Sequence, residues 1–136
     1  MSDEKPGEGD ANGIRTLRSP DSFAGTVSRV VSALEAHGIK TFMVIDQQAE
    51  AAAVGLGMPP VTLILFGNPK AGTPLMIAKP VAALDLPLKA VVWAGDEGGV
   101  FVSFNTAGYL IARHELPAEL EKNIAPVEKL LAAALQ

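Results

Sequence analysis

The segment KAVVWAGDEGGVFVSFN, residues 89–105, decides the fold class. Residues 89–94 and 100–105 are rich in β-branched and aromatic side chains, which favour strands. The intervening Gly95-Asp96-Glu97-Gly98-Gly99 supplies the residue types that a tight chain reversal needs. We therefore predict a β-hairpin, which makes the sheet antiparallel at this point.

On either side of the hairpin the sequence predicts a long amphipathic helix. Residues 22–37 place apolar side chains at helical spacing, with capping oxygens available at 19–22. Residues 117–135 carry a second apolar stripe, which Pro126 should kink or split because proline removes a backbone donor. The stripe residues are Phe23, Val27, Val30, Val31 and Leu34 in the first helix and Leu120, Ile124, Val127, Leu131 and Leu135 in the second.

Three further strands and two short helices complete the predicted order of elements. The strands are expected at 14–18, 40–46 and 61–66, and the short helices at 48–54 and 73–79. The order of the main elements is therefore β, α, β, β, β, β, α. This order predicts an α+β domain, residues 13–136, in which both long helices pack on one face of an antiparallel sheet.

Composition excludes several classes of protein. The chain has 136 residues and no cysteine, so disulfides, thiolate zinc sites and cysteine nucleophiles are absent. Its formal net charge is -4, and residues 1–12 hold four acids against one lysine. The remaining chain is nearly neutral and offers no basic surface for nucleic acid. We expect residues 1–12 to form a disordered acidic tail, because they have almost nothing to bury.

The sequence also gives an expected location. The first residues, MSDEKPGEGDANG, lack the apolar segment of a secretory signal. The apolar runs are interrupted well before the ~18 residues that a membrane-spanning helix needs. We therefore expect a cytoplasmic protein with no membrane partner.

Three segments of the chain carry a family resemblance. They are FMVIDQQAEAA (42–52), LFGNPKAGTPLM with LDLPLKAVVW (within 65–93), and VSFNTAGYLIARHEL (102–116). In this order and spacing they resemble the domain of unknown function 302 family. The resemblance implies a fold like half of the TATA-binding protein, β-α-β(4)-α, and a homodimer. It does not imply DNA binding, because a fold does not determine a function.

One position departs from the family pattern. Gln47 follows Ile45-Asp46 where the family usually has a histidine. An amide can still form hydrogen bonds, but it cannot titrate and is a poor metal ligand. A family function that needs this imidazole would therefore be lost in this chain.

Polar residues near two strand ends form the predicted site. If the segments 46–50 and 105–114 converge at one end of the sheet, they can line a small-molecule pocket. Arg113 would then pair with an anionic ligand, since its planar fork fits a carboxylate or phosphate. The alternative is that Arg113 and His114 secure the junction to the last helix. The candidate ligand-binding residues are Asp46, Gln47, Asn105, Tyr109, Arg113 and His114.

Other residues point to structural roles. His37 and His114 are far apart in the sequence and have no acids at metal-ligand spacing, so we expect no metal site. We find no G-x-S-x-G motif and no phosphate-binding loop, and we expect no cofactor. Asp85, between Leu84 and Leu86, is expected to accept hydrogen bonds from backbone donors in a fixed loop.

Three hypotheses for function remain open at this point. A dimeric, non-enzymatic module that binds a small ligand or a partner needs a pocket with few titratable groups. A small enzyme would need Asp46, Asn105 and His114 together in a concave pocket. A structural or interaction domain would need an exposed apolar patch and no pocket.

Overall fold

The computed structural model describes residues 9–136, which form a five-stranded sheet, five α-helices and two 3₁₀ helices. The strands are β1 Ile14–Ser19, β2 Lys40–Asp46, β3 Val61–Gly67, β4 Leu88–Ala94 and β5 Val100–Asn105. The α-helices are α1 Phe23–Ala36, α2 Gln47–Ala53, α3 Pro69–Ala78, α4 Ala107–Arg113 and α5 Pro126–Ala134. The 3₁₀ helices are Pro80–Asp85 and Ala118–Asn123.

A short turn connects the first described residues to β1. Asp10 Oδ1 accepts from the backbone N–H groups of Asn12 at 2.7 Å and Ile14 at 3.0 Å. The Gly13 N–H donates to the Asp10 carbonyl at 2.9 Å. Aspartate side chains commonly stabilise turns in this way. Part of the predicted tail, residues 10–12, is therefore hydrogen-bonded, while residues 1–8 of that tail lie outside the described residues.

All four strand pairs of the sheet are antiparallel, in the order β1-β5-β4-β3-β2. The predicted hairpin is formed by β4 and β5, with Ala94 opposite Val100 beside the glycine-rich turn. The two edges of the sheet are β1 and β2, which are joined through α1. The predicted α+β class with an antiparallel sheet is confirmed, while the specific likeness to half of the TATA-binding protein stays a prediction.

The helices α1 and α5 cover one face of the sheet and form the main core. α1 begins after Ser22, whose hydroxyl accepts from the Gly25 N–H at 3.0 Å. Val30 and Leu34 from α1 and Leu131 from α5 are completely buried. They pack against the sheet residues Ile64, Phe66, Ala90, Val92, Val102 and Phe104. The apolar stripes of both predicted helices therefore face the same side of the sheet.

The other face of the sheet, which we call the open face, carries a group of apolar side chains and is partly exposed. Its central residues alternate along the strands with those that face the helices. The Trp93 ring stacks on Phe101 with the ring centroids 4.7 Å apart, and Met43 is 56% exposed at the β2 edge. The apolar residues of the open face are Met43, Ile45, Val61, Leu63, Leu65, Val91, Trp93 and Phe101, and the cross-strand pairs place Thr16, Arg18, Lys89 and Ser103 on the same face.

Pro126 divides the segment predicted as one helix over 117–135. The chain first forms the 3₁₀ helix Ala118–Asn123 and then α5, in which Pro126 is the first residue. Proline suits this position, because the N–H that it lacks would have no acceptor within the helix. The prediction that Pro126 splits the segment is confirmed.

The helix α3 begins earlier than the prediction of 73–79. Asn68 is its N-cap, and the Asn68 Oδ1 accepts from the Lys70 N–H at 2.9 Å. Pro69 occupies the first turn, while Pro74, near the start of the predicted range, lies inside the helix. The cap at Asn68 therefore explains why the turn Gly67-Asn68-Pro69 leads directly into a helix.

Candidate functional site

The predicted site residues lie at opposite ends of the sheet. Asp46, at the end of β2, is opposite Thr62 near the start of β3. Asn105, at the end of β5, is opposite Ile14 at the start of β1. Because β2 and β5 run in opposite directions within one sheet, their last residues are at opposite ends. The expected convergence of 46–50 with 105–114 is therefore contradicted, and so is the shared pocket of Asp46, Asn105 and His114.

At the end of β2, Asp46 is a helix cap. Its Oδ1 accepts from the Ala49 N–H at 2.9 Å, and Gln47 is the first residue of α2. A capping side chain of this kind stabilises a helix by about 1 kcal/mol. The Asp46 side chain is exposed and that of Gln47 is half-buried. The polar character of this segment thus has a structural explanation.

After the end of β5, two of the predicted residues, Tyr109 and Arg113, belong to α4, a helix that the sequence pattern does not predict, and His114 is its C-cap. The helix begins after Thr106, whose Oγ1 accepts from the Tyr109 N–H at 3.3 Å. The Tyr109 ring lies directly over Gly13, where an added Cβ would be 2.1 Å from the Tyr109 Cγ. Gly13 also has φ of +78°, which favours glycine. Tyr109 therefore packs the start of α4 onto the turn before β1.

Asp85 joins Arg113 and His114 in a polar cluster at the end of α4. The Asp85 Oδ2 accepts from Arg113 Nη1 at 2.9 Å and from His114 Nε2 at 2.6 Å. An ionised carboxylate can only accept, so Nε2 carries the hydrogen. The side chain of His114 is 6% exposed, whereas that of Arg113 is 48% exposed. These bonds connect the end of α4 to the 3₁₀ helix Pro80–Asp85. Asp85 was expected to accept from backbone N–H groups, and it accepts from two side chains instead.

Two further charged side chains are buried on the helical side of the sheet. Arg15 in β1 is 5% exposed, and its Nε and Nη1 have no hydrogen-bond partner among residues 9–136. Glu128 in α5 is 6% exposed, and its Oε2 accepts from the Ala107 N–H at 2.8 Å. The sequence gives no motif for either residue. Glu128 connects α5 to the first residue of α4, which a sequence pattern cannot indicate.

A cavity of about 880 Å³ opens among α1, α3, the start of β4 and the start of α5. Pockets that bind small molecules usually have about 300–1,000 Å³ and a mainly apolar wall. The rim of this cavity carries the polar side chains of His37, Asn68, Thr73, Asn123 and Lys129. The wall includes Ile39, Phe42, Met76, Leu86, Leu88 and Leu130. This cavity is therefore the candidate ligand-binding site.

The cavity offers a ligand mainly apolar contacts. Among the described residues that line it, His37 and Lys129 are the titratable ones. Between residues 9 and 136, we find no group of three or more histidine, aspartate or glutamate side chains arranged to hold a metal ion. The arrangement offers an apolar wall and a few hydrogen-bonding groups at the rim.

The cavity does not include the residues predicted for the site. All six predicted ligand-binding residues are described by the structure, and none of them lines the cavity. Two segments that carried the family resemblance do line it, namely Gly67-Asn68-Pro69 and Leu86-Pro87-Leu88. These two family segments were the sequence signal that could have located the cavity. The same glycine, asparagine and proline residues are, however, also typical of ordinary turns.

The fold and the cavity define a small α+β domain that combines an antiparallel sheet with an apolar pocket among its helices. The chain belongs to the family described as Domain of unknown function DUF302, whose model matches residues 15–136. The crystal structure of an uncharacterized conserved protein DUF302 from Bacillus stearothermophilus has a similar fold, with a TM-score of 0.77 and 21% sequence identity. The similarity covers 92% of this chain and 97% of that chain.

Relatives in Brucella are similar in sequence. The chain is 40% identical over 105 residues to Fluoride-specific ion channel FluC 1 of Brucella suis and to Fluoride-specific ion channel FluC 2 of Brucella melitensis. The alignments cover 77% of this chain but 41% and 39% of those proteins, so the chain spans about two fifths of their length. Within residues 9–136, no helix has both the length and the apolar character that crossing a bilayer requires.

Proposed function

We propose that this protein is a non-enzymatic binding module whose cavity holds an apolar small molecule. The observation that carries this proposal is a cavity lining that is mainly apolar and includes only two titratable side chains among the described residues. Burial of apolar ligand surface contributes about 25 cal/mol per Å², and a preformed cavity limits the entropy lost on binding. The enzyme hypothesis lacks this support, because its residues are separated. A cytoplasmic location stays a prediction.

Replacing Gly72 by leucine is expected to block binding of the neutral apolar probe N-phenyl-1-naphthylamine without unfolding the protein. Gly72 lies in α3 on the cavity wall, and an added Cβ would contact Leu86 at an ordinary 3.8 Å. The substitution also removes a glycine from a helix interior, where glycine costs about 0.5–1 kcal/mol relative to alanine. Fluorescence titration measures binding, and thermal denaturation checks the fold.

Gly57→Leu is the matched control, because an added Cβ at Gly57 meets no atom within 4 Å and the residue does not line the cavity. We expect equal Kd values for the parent and Gly57→Leu, and binding weaker by about tenfold or more for Gly72→Leu. Equal binding by all three proteins would put the probe at another site. That result, or a parent protein that does not bind the probe, would contradict the proposal.

We also propose that the protein is a homodimer joined through the open face. Large contiguous apolar patches are uncommon on monomeric proteins and often mark interaction surfaces. The family resemblance suggests a homodimer, and the apolar side chains of the open face supply a physical reason for one. Pairing the same face of two copies would form a closed, two-fold symmetric interface and leave no further copy of that surface exposed.

Met43→Glu is expected to convert the dimer to a monomer at micromolar concentration. Met43 is 56% exposed at the edge of the open face, so a glutamate can remain solvated in the monomer. In the dimer it would be a buried, unpaired charge, which costs about 3–5 kcal/mol. Multi-angle light scattering distinguishes one chain of 14.1 kDa from two.

Ile77→Glu serves as the control for that experiment. Ile77 is 77% exposed on α3, away from the open face, so this variant should keep the mass of the parent. A parent protein with the mass of one chain would refute the homodimer. A dimer that persists in Met43→Glu would show that the open face near β2 is not the interface.

A further inference from the structure

The one charged group among the described residues that line the cavity is the cation of Lys129. Lys129 brings a positive charge to the rim, and His37 adds an imidazole beside the same opening. No aspartate or glutamate occurs among the described residues that line the cavity, although the chain has a net charge of -4. A concave site with a cationic group and no carboxylate attracts negative ligands and disfavours positive ones.

His37 directly follows α1 and Lys129 belongs to α5, two helices that are in contact. Arg29 Nη1, in the middle of α1, donates to the carbonyl oxygens of Ala134 at 3.3 Å and Gln136 at 3.1 Å. These carbonyls mark the end of α5. These bonds connect the two helices, and the cavity lining combines His37 with Lys129 from the first half of α5.

The rim offers hydrogen-bond donors to a ligand. Asn68 Oδ1 already accepts from the Lys70 N–H at 2.9 Å, so the Asn68 amide NH₂ group can donate. His37 Nδ1 donates to the Ala33 carbonyl at 2.9 Å, so Nε2 of the neutral imidazole is an acceptor and adds no donor to the rim. The Lys129 ammonium supplies three more donors. A group that only accepts hydrogen bonds, such as a carboxylate, is complementary to the Asn68 amide and the Lys129 ammonium.

If the cavity binds apolar molecules as proposed above, we infer that its ligand is an amphipathic acid. The apolar body of the ligand packs against the wall, which includes Phe42, Met76 and Leu130. The single anionic head group lies at the rim and pairs with Lys129. Because Lys129 is exposed, the head group keeps part of its hydration and avoids the large cost of burying a charge.

Competition between two matched ligands tests the acidic head group. Decanoate and decanol have the same chain length and differ in charge. Decanoate is expected to displace N-phenyl-1-naphthylamine at a concentration roughly three- to tenfold lower than decanol. Lys129→Gln should remove this difference, and Lys122→Gln, which changes an exposed lysine outside the cavity, should retain it. Salt at about 1 M should reduce the preference, because it screens exposed charges.

The outcomes separate this inference from the binding function on which it rests. Equal displacement by both compounds would overturn the acidic ligand and leave apolar binding intact. A preference for decanoate that persists in Lys129→Gln would also overturn it, since Lys129 would not hold the head group. If the parent protein binds neither the probe nor either compound, both the binding function and the acidic ligand are wrong.

Discussion

Replacing Leu131 by alanine is expected to lower the free energy of unfolding by about 2–4 kcal/mol. Leu131 is completely buried in α5 and belongs to the core between the helices and the sheet. Alanine would leave a cavity there, because a close-packed interior relaxes only in part. Val30→Ala in α1 should act in the same direction with a smaller effect, since it removes fewer atoms.

Urea denaturation followed by circular dichroism measures this loss. Leu84→Ala is the matched control, because Leu84 is 68% exposed in the 3₁₀ helix Pro80–Asp85. Substitutions at exposed positions usually change stability by less than about 0.5 kcal/mol. If Leu131→Ala cost no more than this control, the packing of α5 against the sheet would be wrong.

Removing the carboxylate of Asp85 is the second change with a large expected effect. We expect Asp85→Ala to lower the free energy of unfolding by about 2–3 kcal/mol. The carboxylate accepts from both Arg113 and His114. His114 is buried, so its Nε2 would lose the partner that it has among the described residues. A buried donor without an acceptor costs more than a hydrogen bond lost at the surface.

Arg113→Ala should cost less than about 1 kcal/mol, because an exposed ion pair is weakened by water and salt. The side chain of Arg113 is 48% exposed, and it shares Asp85 with His114. Denaturation of both single variants and the double variant gives the coupling between the two sites. A loss in Arg113→Ala as large as that in Asp85→Ala would show that the ion pair, and not the buried histidine, stabilises the cluster.

The same two variants also test the ligand role first proposed for Arg113. Neither Asp85 nor Arg113 lines the large cavity, so both variants should bind N-phenyl-1-naphthylamine with the affinity of the parent. A folded Arg113→Ala protein with clearly weaker probe binding would return Arg113 to the ligand-binding residues. Thermal denaturation of the same samples ensures that the comparison is made between folded proteins.

Much of the fold was predictable because its signals are local. The glycine-rich turn at 95–99 and the alternating strands beside it specify a hairpin, and the helical stripes specify two buried faces. Pro126 marks the start of α5 through its missing N–H. The exception is α4, whose sequence AGYLIAR contains residues that also suit a strand. The N-cap residue Thr106 is the local signal that favours a helix over a strand for this segment.

The site was less predictable because it depends on which strand ends meet. Asp46 and Asn105 both follow strands, but the order β1-β5-β4-β3-β2 puts them at opposite ends of the sheet. That order is a long-range property, and no pattern within either segment specifies it. The cavity also depends on long-range contacts, because the residues of its wall, from Ile39 to Leu130, become neighbours only after folding.

A ribosome makes β1 first and β5 last, yet these two strands are neighbours in the sheet. The strands β2, β3, β4 and β5 can pair in the order in which they emerge, each with the strand before it. Ile14 cannot meet Asn105 until the chain has grown to that residue. Closing so long a loop is slow, because its entropy is lost before the new contacts form. During translation the growing domain therefore exposes an unpaired strand edge, the kind of surface on which chaperones act.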